Sequence, residues 1–306
     1  MTLYTIDPER RTLHGHFSRD LPPVLTIDPG DTVRYRTLDA AWWEDTPEPR
    51  KKFEPRTEEL DSGHAMNGPV FIRGAQPGMT LEVQIGRIIP STWGWTWAGV
   101  FMGDVGKRIL GQNVETTLMW QLDAETMTGT SPTGRKVALH PFMGVMGMPP
   151  DEPGIHSTQP PRHCGGNLDC KELVEGTTLY LPIPVAGGLF SVGDGHAAQG
   201  DGEISMTAIE CPIAQIDLTF NVRDDLKLTT PRARTADSWI TLGFHEDLDE
   251  AVILACADMV ELIMAQYGME RAEALAYASV VADVRVTQIV NRVKGAHVIL
   301  KDGAIR

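Results

Sequence analysis

The sequence predicts a mainly β protein, a sandwich- or barrel-like body, with an α+β subdomain at its C-terminal end. Two observations carry this. Up to about residue 222 the apolar residues come in short alternating runs cut by Gly and Pro, which is the period and punctuation of strands and turns. From Asp247 onward, apolar or small residues recur at 248, 251, 252, 255, 259, 262 and 263, the spacing of one helix face. The expected division is a β-rich body over 1–222 that carries the site, with a subdomain over 223–306 packed on it.

In chain order, Leu25–Asp28 and Thr32–Arg36 flank the turn Pro29-Gly30-Asp31, a strand-turn-strand signal. Residues 39–61, with Trp42, Trp43 and a mixed charge run, read as a long loop or inserted flap. Gly63–Ile72 leads into a strand, and Pro77-Gly78 turns it into Thr80–Ile85, with His64 and Asn67 expected at the mouth of the hairpin. Trp93, Trp95 and Trp97 share one face of a strand and wall either a core or a pocket. Residues 128–136 are a turn-rich link, and the apolar run from His140 to Pro150 holds a single imidazole. Leu179–Val185 is an apolar strand whose prolines suit an edge or a strand end. Glu203–Cys211 alternates and predicts a strand with Ile204, Met206 and Ala208 buried. Asp247 is the expected N-cap of a helix that stops at Gly268. A second helix over 270–280 and strands over 284–290 and 296–300 close the chain.

The stretch Gly193-Asp194-Gly195-His196-Ala197-Ala198-Gln199-Gly200-Asp201-Gly202-Glu203 carries the chemistry. It crowds two aspartates, a histidine, a glutamine and a glutamate among glycines. Imidazole and carboxylate are the ligands of zinc, carboxylate also suits calcium, and either group can carry a proton. Asp194 and His196 stand two apart, as do Asp201 and Glu203, so each pair shares a side in extended chain.

Charge narrows the partners. The chain has 306 residues, 27 basic against 41 acidic, for a net of −14, which disfavours nucleic acid and anionic membranes. No apolar stretch approaches the ~20 residues of a membrane helix, and the first residues lack the basic-then-apolar run of a signal peptide. Cysteines at 164, 170, 211 and 256 are too sparse for a disulfide scaffold. A reduced, cytoplasmic protein is expected. Cys170-Lys171-Glu172 has the residue types of a thiol amidase, but neighbours on one backbone do not easily converge.

These same stretches bear a resemblance. His140-Pro141-Phe142 through Gly147, Gly165-Gly166-Asn167-Leu168-Asp169, Thr178–Pro182 and Phe190–Glu203 resemble the acetamidase/formamidase family. Asp20–Pro23, Pro29–Asp31, Gly68–Val70 and Pro77-Gly78 resemble its N-terminal half, and Arg285–Asn291 its tail. Residues 39–61 and 91–104 match no pattern of the family. The resemblance implies hydrolysis of a short aliphatic amide to carboxylate and ammonia, a β-rich cytoplasmic fold, and a homo-oligomer. Opening of a lactam is the alternative within the family. Capture of a small amide or a metal without turnover is the alternative outside it.

The residues suggest how an amide would be cleaved. A divalent metal, zinc with calcium as the alternative, would be held by Asp194, His196 and His64 and would activate water. Glu203 would serve as general base and then acid. Gln199, Asn67 or Asn167 would steady the oxyanion, with His140 and Asn167 binding substrate. Asp201 would orient the others or belong to a separate calcium site. A metal-free set of Glu, Lys and Cys is the competing mechanism.

Overall fold

Alternation of apolar and polar side chains builds a molecule dominated by strands. A computed structural model of the chain describes every residue except 47–49, 55–56, 58–59, 101–103 and 112–113. The expected 39–61 excursion and the tryptophan-rich 91–104 stretch therefore fall partly outside the described residues.

The chain opens with β1 (Leu3–Ile6), β2 (Leu13–His14), β3 (Leu25–Ile27), β4 (Thr32–Thr37), β5 (Met66–Ile72), β6 (Thr80–Pro90) and β7 (Trp93–Ala98). A short helix α1 (Asp104–Leu110) precedes β8 (Thr116–Asp123), β9 (Thr128–Thr130), β10 (Lys136–Ala138), β11 (Phe142–Gly147) and β12 (Gly165–Asn167). Then come β13 (Thr178–Pro182), β14 (Phe190–His196), β15 (Ile213–Arg223), β16 (Arg232–Arg234) and β17 (Ser238–His245). Helices α2 (Leu248–Tyr267) and α3 (Arg271–Val281) lead to β18 (Ala282–Gln288) and β19 (Lys294–Lys301).

The strands form three groups. A nine-stranded sheet runs β1-β4-β15-β6-β13-β16-β17-β19-β18. A six-stranded sheet runs β12-β11-β14-β5-β2, with β3 also paired to β5, and β10-β9-β8-β7 form a four-stranded one. The nine- and six-stranded sheets share one core, in which Val33, Val83, Leu181 and Phe220 pack with Val70, Met143 and Phe190. Phe190 meets Phe220 edge-on at 5.0 Å between centroids. The mainly β prediction matches this architecture, and among the described residues helices appear only near the end apart from α1.

The structure corrects four local expectations. β5 and β6 do not form a hairpin: the Pro77-Gly78 turn carries the chain from the six-stranded sheet to the nine-stranded one, and Asn67 lies within β5. The alternation at 203–211 does not make a strand. Glu203 and Met206 have φ of 47° and 73°, in the left-handed region that extended chain excludes, so the segment turns, leaving Ile204 64% exposed. The 128–136 link is a β9–β10 hairpin. Finally, of the two expected placements of the Leu179–Val185 prolines the edge is excluded and the strand end holds: β13 is flanked by β6 and β16, and Pro182 is its last residue.

The C-terminal helices follow their sequence signals closely. Asp247 accepts hydrogen bonds from the amides of Asp249 and Glu250, and Gly268 closes α2 with φ 67°. Helix α2 packs onto β17 at Gly243, where an added Cβ would meet Ala251 O at 2.1 Å. Arg232 reinforces the seam with two 2.7 Å hydrogen bonds to Asp258. β16–β19 continue the same sheet as β15, β6 and β13, so the 222/223 division falls at the end of β15 within one nine-stranded sheet.

Candidate active site

β14 delivers the central group. Its last residue, His196, is 1% exposed, and the imidazole sits edge-on against Phe142 of the neighbouring β11, 5.1 Å between centroids. Nε2 of His196 lies 3.3 Å from Asp194 Oδ1 and 3.2 Å from Glu210 Oε2, while Nδ1 lies 3.9 Å from Asp169 Oδ1. Asp194, His196 and Glu210 each offer a ligand atom within 4.8 Å of the others, and so do Asp169, His196 and Glu203. Four carboxylates thus surround one imidazole, all buried.

Local backbone makes this convergence possible. Asp194, Asp169 and Glu203 have φ of 60°, 48° and 47°, a left-handed conformation that non-glycine residues keep only where the surroundings enforce it. Gly144 of β11 leaves the gap the groups need. A Cβ there would stand 2.5 Å from Asp194 Oδ2, 2.7 Å from Asp169 Oδ1 and 2.9 Å from His196 Cε1. Glu210 is placed by exchanging backbone hydrogen bonds with Trp95 of β7, at 2.9 and 2.8 Å. Asn291 Nδ2 donates a short hydrogen bond to Asp169 Oδ2, tying the chain's tail to the site.

The electrostatics follow from crowding. Burial would lower the His196 pKa, but Glu210 and Asp194 outweigh it and hold the imidazolium well above its ordinary range. Burial would raise Asp194, yet the imidazoles of His196 and His64 dominate and keep it low. Burial pushes Asp169 up to about 7 against the pull of His196. Glu203 is driven well above its ordinary range by burial and by the Asp169 charge, and burial also raises Glu210. One imidazolium cannot balance four buried carboxylates. They need either protons or a cation.

The residues fit a divalent cation. Glu210 Oε2, Asp169 Oδ1, Glu203 Oε2 and His196 Nδ1 are buried without a hydrogen-bond partner, and the donors are the imidazole and carboxylates that zinc accepts. Two sets of three at this site offer donors close enough to hold it: Asp194, His196 and Glu210, and Asp169, His196 and Glu203. His64 lines the same cavity, its Nδ1 2.9 Å from Thr158 Oγ1, and is not among the donors of either set.

That cavity, about 360 Å³, is lined by Asp194, His196, Glu210, Glu203, Asn167 and Trp95 among others. The other predicted site residues lie elsewhere. His140 is exposed, lining a neighbouring cavity of about 610 Å³ together with Gln199. Gln199 donates to the Asp169 carbonyl at 2.8 Å, which supports the Asp169 turn. Asn67 is fully buried on β5, with neither side-chain amide atom hydrogen-bonded, and is not among the residues lining either cavity. Glu203 lines both cavities. Asp201 is engaged at 2.6 Å by Lys171 and at 3.5 Å by Arg285.

Cys170, Lys171 and Glu172 do converge, against the expectation from their adjacency. Lys171 Nζ lies 2.8 Å and Cys170 Sγ 3.4 Å from the Glu172 carboxylate, which also faces His297 Nε2 at 3.4 Å. Burial and the Glu172 charge push the Cys170 thiol well above its ordinary range, so it stays protonated and is a poor nucleophile.

The family model described as "Acetamidase/Formamidase family" matches residues 4–157 and 154–300. The chain belongs to that family. This acetamidase/formamidase member is 28% identical over 255 residues to a putative formamidase of Schizosaccharomyces pombe, covering 64% of this chain and 60% of that one. It is 26% identical over 244 residues to a formamidase of Methylophilus methylotrophus, covering 63% and 60%. The chain spans about 60% of the length of the curated relatives it matches. A crystal structure of an acetamidase from Bacillus halodurans superposes with a TM-score of 0.84 at 29% identity, covering 97% of both chains.

Asp169, Glu210 and Asn291 join the site without having been singled out as site residues from sequence. Asp169 and Asn291 do stand inside the stretches that carry the family resemblance, which is the signal that could have found them.

Proposed function

We propose that the chain hydrolyses a small neutral aliphatic amide, of the formamide and acetamide type, to carboxylate and ammonia. The observation that carries this is the convergence of Asp194, Glu210, Asp169 and Glu203 on His196 at the base of a cavity of about 360 Å³. The formamidase and acetamidase names of the relatives agree with it.

A divalent cation held by Asp194, His196 and Glu210, zinc by its preference for such donors, supplies Lewis acidity and a water of lowered pKa. Calcium, which takes six to eight oxygens, fits a set containing an imidazole less well. Glu203 carries the proton: its raised pKa suits a group that takes a proton from water and returns it to the departing amine. The water oxygen bonds to the carbonyl carbon, the C–N bond breaks, and the proton leaves on ammonia. Asn167, 3% exposed on the cavity wall with its Oδ1 unbonded, orients the substrate amide, and the Asp169 charge adds to burial in raising the Glu203 pKa. The four free cysteines, three of them buried, agree with a reducing, cytoplasmic setting. Among the described residues no helix is long and apolar enough to cross a membrane.

Ammonia release from formamide and acetamide, assayed with zinc and with calcium after chelation, tests the reading. Release that requires one of the cations is expected, and no release from either amide under any condition would refute it.

A further inference from the structure

A second cavity adjoins the catalytic one. Ala41 and Trp95 line it and also line a second cavity of about 470 Å³, bounded further by Trp43, Trp93, Met119 and Arg50. We infer that this second compartment is an acyl-group subsite, and that the chain accepts primary amides with a flat aromatic acyl group, of the arylacetamide class. The inference rests on the amidase reading for its chemistry but not for its binding.

Strand geometry builds the compartment. Trp93 and Trp95 stand two apart on β7 and so share a face. Met119 of β8 is directly opposite Trp95 in the antiparallel register and extends that wall. On the far side Trp43 forms an isolated bridge with Lys52, and the pair divides between compartments: Trp43 lines the aromatic one, Lys52 the catalytic one. The Arg50 guanidinium lies 4.2 Å from the centroid of the Trp93 ring and covers one of its faces.

Two features point to a ligand. Three indoles around one void are the surface that a flat apolar group fills by stacking, and far more than the methyl of acetamide can use. The Trp93 residue is 6% exposed, and its Nε1–H is buried without a hydrogen-bond partner, a donor suited to an acceptor on the ring of the bound group. The wall that the two cavities share is held in place. Asp39, fully buried, accepts from Trp95 Nε1 at 2.7 Å and from the Trp43 amide at 2.6 Å, fixing one wall of each side with one carboxylate.

Calorimetry with phenylacetamide, using protein carrying Glu203→Gln so that the amide stays intact, tests the compartment. Trp43→Ala and Met119→Glu are added singly; Met119 is 38% exposed, so the second variant folds even where the first does not. Binding to the Glu203→Gln protein, weakened about tenfold or more by either addition, is expected. In otherwise wild-type protein the same two changes should lower phenylacetamide turnover by a similar factor and leave acetamide turnover within threefold. Absence of phenylacetamide binding, or binding unaltered by both changes, overturns the inference. If no amide at all is hydrolysed, the amidase reading fails, while the calorimetry still decides the subsite.

Discussion

Trp95 and Glu210 exchange both of their backbone hydrogen bonds, Trp95 N to Glu210 O at 2.9 Å and Glu210 N to Trp95 O at 2.8 Å. One bridge therefore sets the aromatic partition and a carboxylate of the site together. Gly94 makes the approach possible, because a Cβ there would lie 2.7 Å from the Glu210 carbonyl and 2.8 Å from Ile209 Cγ2. Both obstacles are held by the surrounding chain. Gly94→Ala should push β7 away from Glu210, lowering the melting temperature and amide turnover by tenfold or more. Unchanged turnover would detach Glu210 from the Trp95 bridge.

Gly144 separates effects on the site from effects on the fold. The atoms a Cβ would meet there are side-chain atoms of Asp194, Asp169 and His196. Gly144→Ala should spread them, with loss of bound cation and of turnover while circular dichroism keeps its β signature. Retention of one equivalent of cation after dialysis would show that those three groups do not need their present spacing.

Glu203 and Glu210 are expected to part in their roles. Glu203→Gln should retain the cation and lose about 10²–10⁴ in rate, the usual worth of a positioned proton carrier. Glu210→Gln should lose the cation as well, since Glu210 stands in the three-donor set with Asp194 and His196. Metal content by atomic emission beside kcat distinguishes them, and identical behaviour of the two variants would remove the division of labour.

Much of the fold was legible because its signals are local. Asp247 and Gly268 cap α2 as their chemistry demands, and alternation over Thr80–Ile85 marks the start of β6 plainly, while β15, which was not singled out, alternates as well. The centre of the site was legible because Asp194, His196 and Glu203 lie within ten residues of one another. Glu210 was hidden for a physical reason. Its segment alternates like a strand, and only the left-handed turns at Glu203 and Met206 fold it back so that Glu210 reaches His196. Asp169 and Asn291, 122 positions apart, meet through tertiary packing alone, which no periodicity records. The β5–β6 misreading has the same origin: a tight turn between two strands does not say whether they pair or enter opposite sheets.

Surface chemistry predicts self-association. Strand β18 forms one edge of the nine-stranded sheet, and Val284 on it is 49% exposed. Val280 of the preceding α3 is 82% exposed, and Ile253 and Leu254 of α2 are 56% and 47% exposed. An uncovered edge beside apolar helix residues is a surface that pairing removes from water. Light scattering at micromolar concentration should give a mass that is a multiple of 33.6 kDa, and Val280→Lys should reduce it. A 33.6 kDa particle for the unaltered chain would refute the expectation.

The pH dependence of stability should report Asp39. Burial raises its pKa from 3.8 to about 7, although the hydrogen bond from Trp95 acts in the opposite direction. Because the folded value lies above the unfolded one, the folded state binds the extra proton between them. This contribution is fully present below about pH 4 and is lost as the pH rises through about 7. The displacement corresponds to roughly 4 kcal/mol across that window, and neighbouring buried carboxylates titrate alongside it. Comparison with Asp39→Asn isolates the Asp39 share. An amide at position 39 still accepts from one of Trp95 Nε1 and the Trp43 amide but faces the other with a donor, a penalty of about 1–3 kcal/mol that does not vary with pH. The stability of wild type relative to Asp39→Asn, measured by urea unfolding with the cation chelated, should therefore fall steadily from pH 5 to pH 7.5 and end in favour of the variant. A difference that stays constant over that range would mean that Asp39 is ionised throughout, with the two donors of Trp95 and Trp43 outweighing its burial.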